Sequence, residues 1–358
     1  MTLRWYGEGN DSVTLEQIRQ IPGVAGVITA LHDIPAGEAW TYEDVMKRKQ
    51  EVEAKGLKLC GVESINVHED IKIGLPTRDK LIEDYCKSLE AVGKAGIHLV
   101  CYNFMPVFDW TRTDLAMPLE DGSTALAYDS SIIDGIDASE MFDRIEKASG
   151  GFVMPGWEPN RRDEIMDLFD KYKDVTADKL RENFKYFLDG IIPTCEEVGV
   201  KMACHPDDPG WPIFGLPRIT HDQAGFDRMV KLHDSPCNTL CLCTGSLGSN
   251  VQNDIPAMVR HFGEMNRIGC LHVRNIKHLG SDRRFRESSH LSSDGDLDMY
   301  EIMKAAYETC PDTYIRPDHG RMIWDEIGRP GYGLYDRALG IAYLNGLWEA
   351  IDKNAKRG

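Results

Sequence analysis

Short runs rich in β-branched and other apolar residues alternate along the chain with longer segments whose apolar positions recur at helical spacing. The runs at 3–6, 26–31, 59–64, 98–103, 200–205, 240–244, 270–275 and 314–318 predict strands, and the segments at 14–21, 41–55, 77–94, 176–198, 222–234, 251–267, 298–309 and 335–352 predict helices. Thr14, Thr41, Thr176 and Asp298 stand where N-caps belong, and Gly56, Gly96, Gly199 and Gly269 where helix-to-strand turns belong. Eight strand–helix pairs, strand first, predict an α/β protein: a (β/α)8 TIM barrel with a long insertion after strand 4. An open doubly wound sheet is the alternative, but no predicted strand leads into a GxGxxG or GxxxxGK[ST] loop. The insertion, 106–175, separates the fourth strand from its helix. It carries Trp110, Arg112, Trp157, Glu158, Pro159, Arg161 and Arg162, too much aromatic and charged content for a linker. It is expected to act as a lid or an oligomer contact within a single domain spanning 1–358.

Composition narrows the function classes. The 358 residues carry 58 Asp and Glu against 41 Lys and Arg, a formal charge of −17, which repels nucleic-acid backbones and anionic membranes. No stretch approaches the roughly 18 uninterrupted apolar residues of a membrane span, and the start MTLRWYGEGND lacks the layout of a signal peptide. A cytoplasmic protein is therefore expected, with no nucleic-acid or membrane partner and with homo-oligomeric assembly as dimer or tetramer. The ten cysteines show no disulfide or zinc-ribbon spacing, so burial is the default reading of each.

In a barrel of this kind, chemistry collects at the C-terminal ends of the strands. The fifth predicted strand ends in His205, the sixth in Cys243, the seventh offers His272 and Arg274, and the eighth offers Arg316, Asp318 and His319. Side-chain alternation places Cys243 at the rim with Cys241 deeper on the same side, and pairs His272 with Arg274 and Arg316 with Asp318. Two imidazoles, a thiol and a carboxylate on consecutive strand ends suit a divalent transition ion such as Mn²⁺, Fe²⁺, Co²⁺ or Zn²⁺. Arg274 and Arg316 beside it would hold a small carboxylate, and Asn103 and Glu63, at the ends of strands four and three, would either reach sugar hydroxyls or make core or loop hydrogen bonds.

The runs ACHPDDPGWPIFGLPRI, LCLCTGSLG, HVRNIKH, RPDHGRMIW and GYGLYDRALGIAYLNGLWEAI, with the opening LRWYGEGNDSVTLEQIRQIPGVAGVITALHDIPAGEAW, resemble the D-mannonate dehydratases of hexuronate degradation, a branch of the xylose-isomerase-like barrels. The resemblance covers essentially the whole chain. It implies dehydration of D-mannonate to 2-keto-3-deoxy-D-gluconate with Mn²⁺ or Fe²⁺, and a ligand set His205, Cys243, His272 and Asp318 that departs nowhere from the family pattern. It also implies a catalytic histidine after the aspartate ligand, His319, and a tyrosine in the next loop, either Tyr332 or Tyr335. If the strand continued, His319 would face away from Asp318; Gly320 is expected to permit the turn that swings it over the site. A sugar isomerase or epimerase on the same barrel is the principal rival, and Cys243 argues against it because such enzymes favour carboxylate-rich ligand sets.

Overall fold

The computed structural model describes residues 1–133, 140, 162–280 and 283–357. Eight parallel strands neighbour one another in the order β1 (Thr2–Arg4), β2 (Gly26–Thr29), β3 (Lys58–Glu63), β4 (Leu99–Tyr102), β7 (Lys201–Cys204), β8 (Asn238–Cys243), β9 (Ile268–His272) and β12 (Tyr314–Arg316). Thr2 Oγ1 on β1 donates to Ile315 O on β12 at 3.3 Å, joining the two ends of the sheet. This is the predicted (β/α)8 barrel. All eight predicted strands are present, each ending one to three residues earlier than the apolar runs suggest, because the last residues of each run turn out of the ladder into the rim loops.

The helices begin where capping chemistry places them. Thr14, Thr41 and Thr176 accept the backbone N–H three residues on, and Asp298 accepts those of Tyr300 and Glu301. Gly56, Gly96 and Gly199 adopt the left-handed conformation in helix-to-strand turns, with φ of 75°, 74° and 68°. Gly269 does not. It lies inside β9, where a Cβ would collide with the Thr239 hydroxyl of β8 and the Ala203 Cβ of β7, and Asn266 supplies the left-handed turn residue with φ 54°.

The main core lies between the strands and the helices around them, and a smaller cluster including Ile28, Leu99, Cys101, Cys241 and Cys270 fills the barrel interior. A second, four-stranded antiparallel sheet was not predicted. It joins β5 (Asp114–Pro118) and β6 (Thr124–Asp129) of the insertion to β10 (Ile276–His278) and β11 (Arg284–Glu287) of the loop after β9. Its own core, with Phe108, Leu126, Tyr128, Trp211 and Phe285, is buried. The insertion is thus tied to the rim of the barrel rather than hanging from it. Trp157, Glu158, Pro159 and Arg161 lie outside the described residues. Among the described residues no helix is long and apolar enough to cross a membrane.

Candidate metal and catalytic site

Parallel pairing carries the donor side chains to one rim. His205 follows β7, and its backbone N–H continues the ladder by donating to Tyr102 O at 2.7 Å. Its Nδ1 lies 2.8 Å from Pro206 O; a carbonyl only accepts, so Nδ1 carries the proton and Nε2 keeps its lone pair. Cys243 ends β8 directly opposite His272 on β9, and Arg316 stands opposite His272 on the other side. Donor atoms of His205, Cys243 and His272 lie within 4.8 Å of one another, with the two rings 5.2 Å apart.

Asp318 completes the group from beyond the end of β12. The turn that brings it in is made by Asp318 itself, at φ 57°, a left-handed conformation costly for a residue with a Cβ. The expected hinge at Gly320 is therefore displaced by two residues. Asp318 Oδ2 lies 3.7 Å from Cys243 Sγ, and Asp318 is held by Arg316 at 2.8 Å and by Arg274 Nε at 3.1 Å. All four predicted ligands thus converge. His272 Nε2 is buried without a hydrogen bond, with Glu63 Oε2 3.5 Å away. An orphaned imidazole nitrogen beside a second imidazole, a thiol and a carboxylate fits a divalent transition ion.

The surrounding charges favour the deprotonated ligands. Burial acts to raise the Cys243 thiol, but the Arg274 guanidinium, with His205 and His272, holds it well below the usual thiol range. Burial would likewise raise Asp318, yet His319, His272, Arg316 and Arg274 together hold it well below the ordinary carboxylate value.

Arg274 and Arg316 do not line the cavity, contrary to their expected role in substrate binding. Arg274 pairs with Glu287 and with Asp208, both at 2.7 Å, in addition to Asp318. Arg316 pairs with Glu63 at 3.1 Å as well as Asp318. The position near a strand end selected each arginine but could not reveal the carboxylates arriving from other segments. Arg112 of the insertion joins the same network, bidentate to Asp208 at 2.8 and 3.1 Å and 2.9 Å from Glu287.

A cavity of about 410 Å³ opens beside the donors, lined among others by His205, Asp318, His319, Tyr332, Asn103, Arg4, His32 and Arg329. Its size falls in the range of small-molecule sites. Arg4 ends β1, two residues before the predicted strand 3–6 ends, so a rule about strand ends passed over it. Arg4 pairs with Glu63 at 2.8 Å. His32 is driven down to about 3 by burial and by the cations Arg4, Arg48 and Arg329, so it is uncharged.

His319 is 3% exposed and links the donors to a tyrosine. Its Nδ1 lies 3.4 Å from Glu287 Oε1 and its Nε2 2.7 Å from the Tyr332 hydroxyl, while Trp110 of the insertion packs edge-on at 5.2 Å. Glu287 is held down to about 2, its burial being outweighed by Arg274, His319 and Arg112, so it accepts from Nδ1–H and leaves Nε2 facing Tyr332. Burial pushes the Tyr332 hydroxyl well above the usual phenol range. Tyr335 is elsewhere: it opens the helix Tyr335–Ala355, is 41% exposed, and packs on Trp324 at 5.6 Å. Asn103 lines the cavity and donates to Asp109 at 2.7 Å.

The chain matches the family model described as D-mannonate dehydratase (UxuA) over residues 1–358. A protein named mannonate dehydratase from Lachnoclostridium phytofermentans is 59% identical over 357 residues, 99% of each chain. The crystal structure of mannonate dehydratase from Streptococcus suis serotype 2 superposes with a TM-score of 0.90 at 45% identity, covering 99% of this chain and 95% of that one. A xylose isomerase domain protein from Planctomyces limnophilus, 11% identical with a TM-score of 0.55 over 99% and 98% of the two chains, shares the fold alone.

Proposed function

Because this chain belongs to the D-mannonate dehydratase family, we propose that it eliminates water from D-mannonate to give 2-keto-3-deoxy-D-gluconate in hexuronate catabolism, using one Mn²⁺ or Fe²⁺ ion. The observation that carries this reading is the 2.7 Å contact between His319 Nε2 and the Tyr332 hydroxyl, in the wall of a cavity also lined by the donors His205 and Asp318.

His205, Cys243, His272 and Asp318 would hold the ion. When bound, it supplies Lewis acidity that stabilises negative charge developing on the substrate carboxylate. The reaction breaks the C2–H bond and the C3–O bond, releases water, and leaves an enol that becomes the 2-keto acid. His319 and Tyr332 form the proton-transfer pair. Glu287 fixes the tautomer that aims His319 Nε2 into the cavity, and Tyr332 holds its hydroxyl proton on that nitrogen. Arg4 and Arg329 supply positive charge facing an anionic substrate, and Asn103 is placed to meet its hydroxyls. Trp110 packs on His319 and Arg112 ties the insertion to Asp208 and Glu287, which supports a lid role for the insertion within a single domain.

Ten free cysteines support a reducing, cytoplasmic setting. Trp324 at 69% and Ile327 at 87% exposed, beside Tyr335 and Leu339, support homo-oligomeric assembly through this surface. Chelator-stripped protein is expected to be inactive, and Mn²⁺ or Fe²⁺ is expected to restore 2-keto-3-deoxy acid formation from D-mannonate but not in Cys243→Ala. Full turnover by metal-free protein, or by Cys243→Ala, refutes the metal assignment; inert D-mannonate beside a reactive ketose or D-altronate refutes the substrate.

A further inference from the structure

One layer below the donor rim, three more thiols meet. Cys241 on β8 stands directly opposite Cys270 on β9, each two residues before the Cys243–His272 pair and on the same side of its strand. Closure of the barrel brings Cys101 of β4 to the same place. The three sulfurs and one nitrogen of His272 all lie within 4.8 Å of one another, and none of the four residues is more than 1% exposed. His272 is common to this group and to the group above it. Its buried Nε2 makes no hydrogen bond.

Thiols also fill apolar space, and Ile28, Leu99 and Ala203 belong to the same interior layer. Packing alone explains one buried cysteine. It does not call for three sulfurs from three strands to converge on an imidazole with an unsatisfied nitrogen. A route in exists as well, since Cys101 lines the catalytic cavity.

We propose that Cys101, Cys241, Cys270 and His272 form a second metal site, selective for thiophilic ions of the Zn²⁺ or Cd²⁺ type, which competes with the upper site for His272. Zinc–sulfur bonds of roughly 2.3 Å place tetrahedral ligands about 3.8 Å apart, so side-chain shifts of under about 1 Å close the cluster on an ion. Each coordinating thiol releases its proton to solvent. The divalent charge offsets two of the three thiolates. A neutral imidazole has one free lone pair, so His272 serves one ion at a time. Binding below therefore strips a ligand from the ion above. That competition rests on the metal reading of the upper site, whereas binding of the lower ion does not.

The test titrates Cd²⁺ into intact Cys243→Ala protein while following thiolate-to-cadmium charge-transfer absorption in the ultraviolet. With the only upper-site thiol gone, the expected band saturates at one ion per chain and falls sharply when Cys241→Ala, or Cys101→Ser in the cavity wall, is added. No band in folded Cys243→Ala overturns the site, as does a band that both added substitutions leave intact. In the Mn²⁺-loaded enzyme, Cys241→Ala or Cys101→Ser is expected to raise the Cd²⁺ concentration for half-inhibition by about tenfold; unchanged inhibition overturns the competition. Loss of the upper-site reading would show itself separately, as turnover indifferent to Mn²⁺ with the charge-transfer band present.

Discussion

Glu287→Gln removes one negative charge from a buried network while nearly preserving side-chain shape. Glu287 is fully buried and accepts from Arg112 at 2.9 Å, Arg274 at 2.7 Å and His319 at 3.4 Å. Breaking a buried ion pair by removing one partner costs about 3–5 kcal/mol. Both guanidiniums keep Asp208, at 2.8 and 2.7 Å, which sets the expected loss at the lower end, about 3 kcal/mol. Linkage gives a second route to the same figure. A carboxyl held at about 2 against an ordinary 4.5 contributes about 3 kcal/mol. Because the folded value is depressed, that contribution is fully present above about pH 4.5 and disappears as the pH falls toward about 2. With an unfolding entropy of about 2.1 cal/mol/K per residue over 358 residues, a 3 kcal/mol loss lowers Tm by about 4 °C. Calorimetric melts of the wild type and Glu287→Gln at neutral pH should show this gap, narrowing by a third to a half near pH 3.5. The same variant should lose about tenfold to a hundredfold in kcat, with an altered kcat–pH profile, because a glutamine fixes the His319 tautomer less firmly than a carboxylate. Equal melting temperatures at neutral pH, or a gap that does not narrow in acid, would refute the reasoning.

Two other substitutions separate the roles proposed for His319 and Tyr332. Tyr332→Phe is expected to cut turnover by about 10² to 10⁴ while Tyr335→Phe leaves it unchanged; steady-state kinetics giving the reverse order would return the role to Tyr335. His319→Asn should retain bound Mn²⁺ by elemental analysis yet lose most of its turnover, and retained turnover would leave proton transfer to Tyr332 alone.

The barrel was legible because its signals are local. Each strand–helix unit carries its own apolar run, period and N-cap, and Thr14, Thr41, Thr176 and Asp298 all cap as predicted. The second sheet was not legible, because β5 and β6 are completed by β10 and β11 from beyond β9, and neither half has a core alone. The donor group was readable for a geometric reason: parallel strands align their ends, so a rule about strand termini is already a rule about space. The same rule carries no information on partners across the barrel. It therefore found Arg274 and Arg316 but not Asp208 or Glu287, and gave nothing for the Cys101–Cys241–Cys270 layer, which exists only once strands four, six and seven meet. Which tyrosine lies beside His319 turned on a helix boundary. Tyr335 begins the helix and faces outward, while Tyr332 precedes it in the loop that folds over His319.

Those partners change what the buried arginines do. An acidic protein of charge −17 that takes an anion needs local positive charge, and the sequence reading assigned it to Arg274 and Arg316. Their guanidiniums instead touch Asp208, Glu287, Glu63 and Asp318. Arg274 acts on two predicted ligands at once, depressing the Cys243 thiol and the Asp318 carboxyl, and a metal requires both deprotonated. Its effect on a substrate anion is therefore indirect: it keeps the ligands ready for the cation that would meet that anion, while Arg4 and Arg329 face the cavity themselves. Arg112 extends the arrangement into the insertion by sharing Asp208 and Glu287 with Arg274. The insertion and the predicted ligand Asp318 are thereby joined through one set of buried charges, so Arg112→Met is expected to lower the Mn²⁺ retained after gel filtration, measured by elemental analysis; unchanged retention would refute that link.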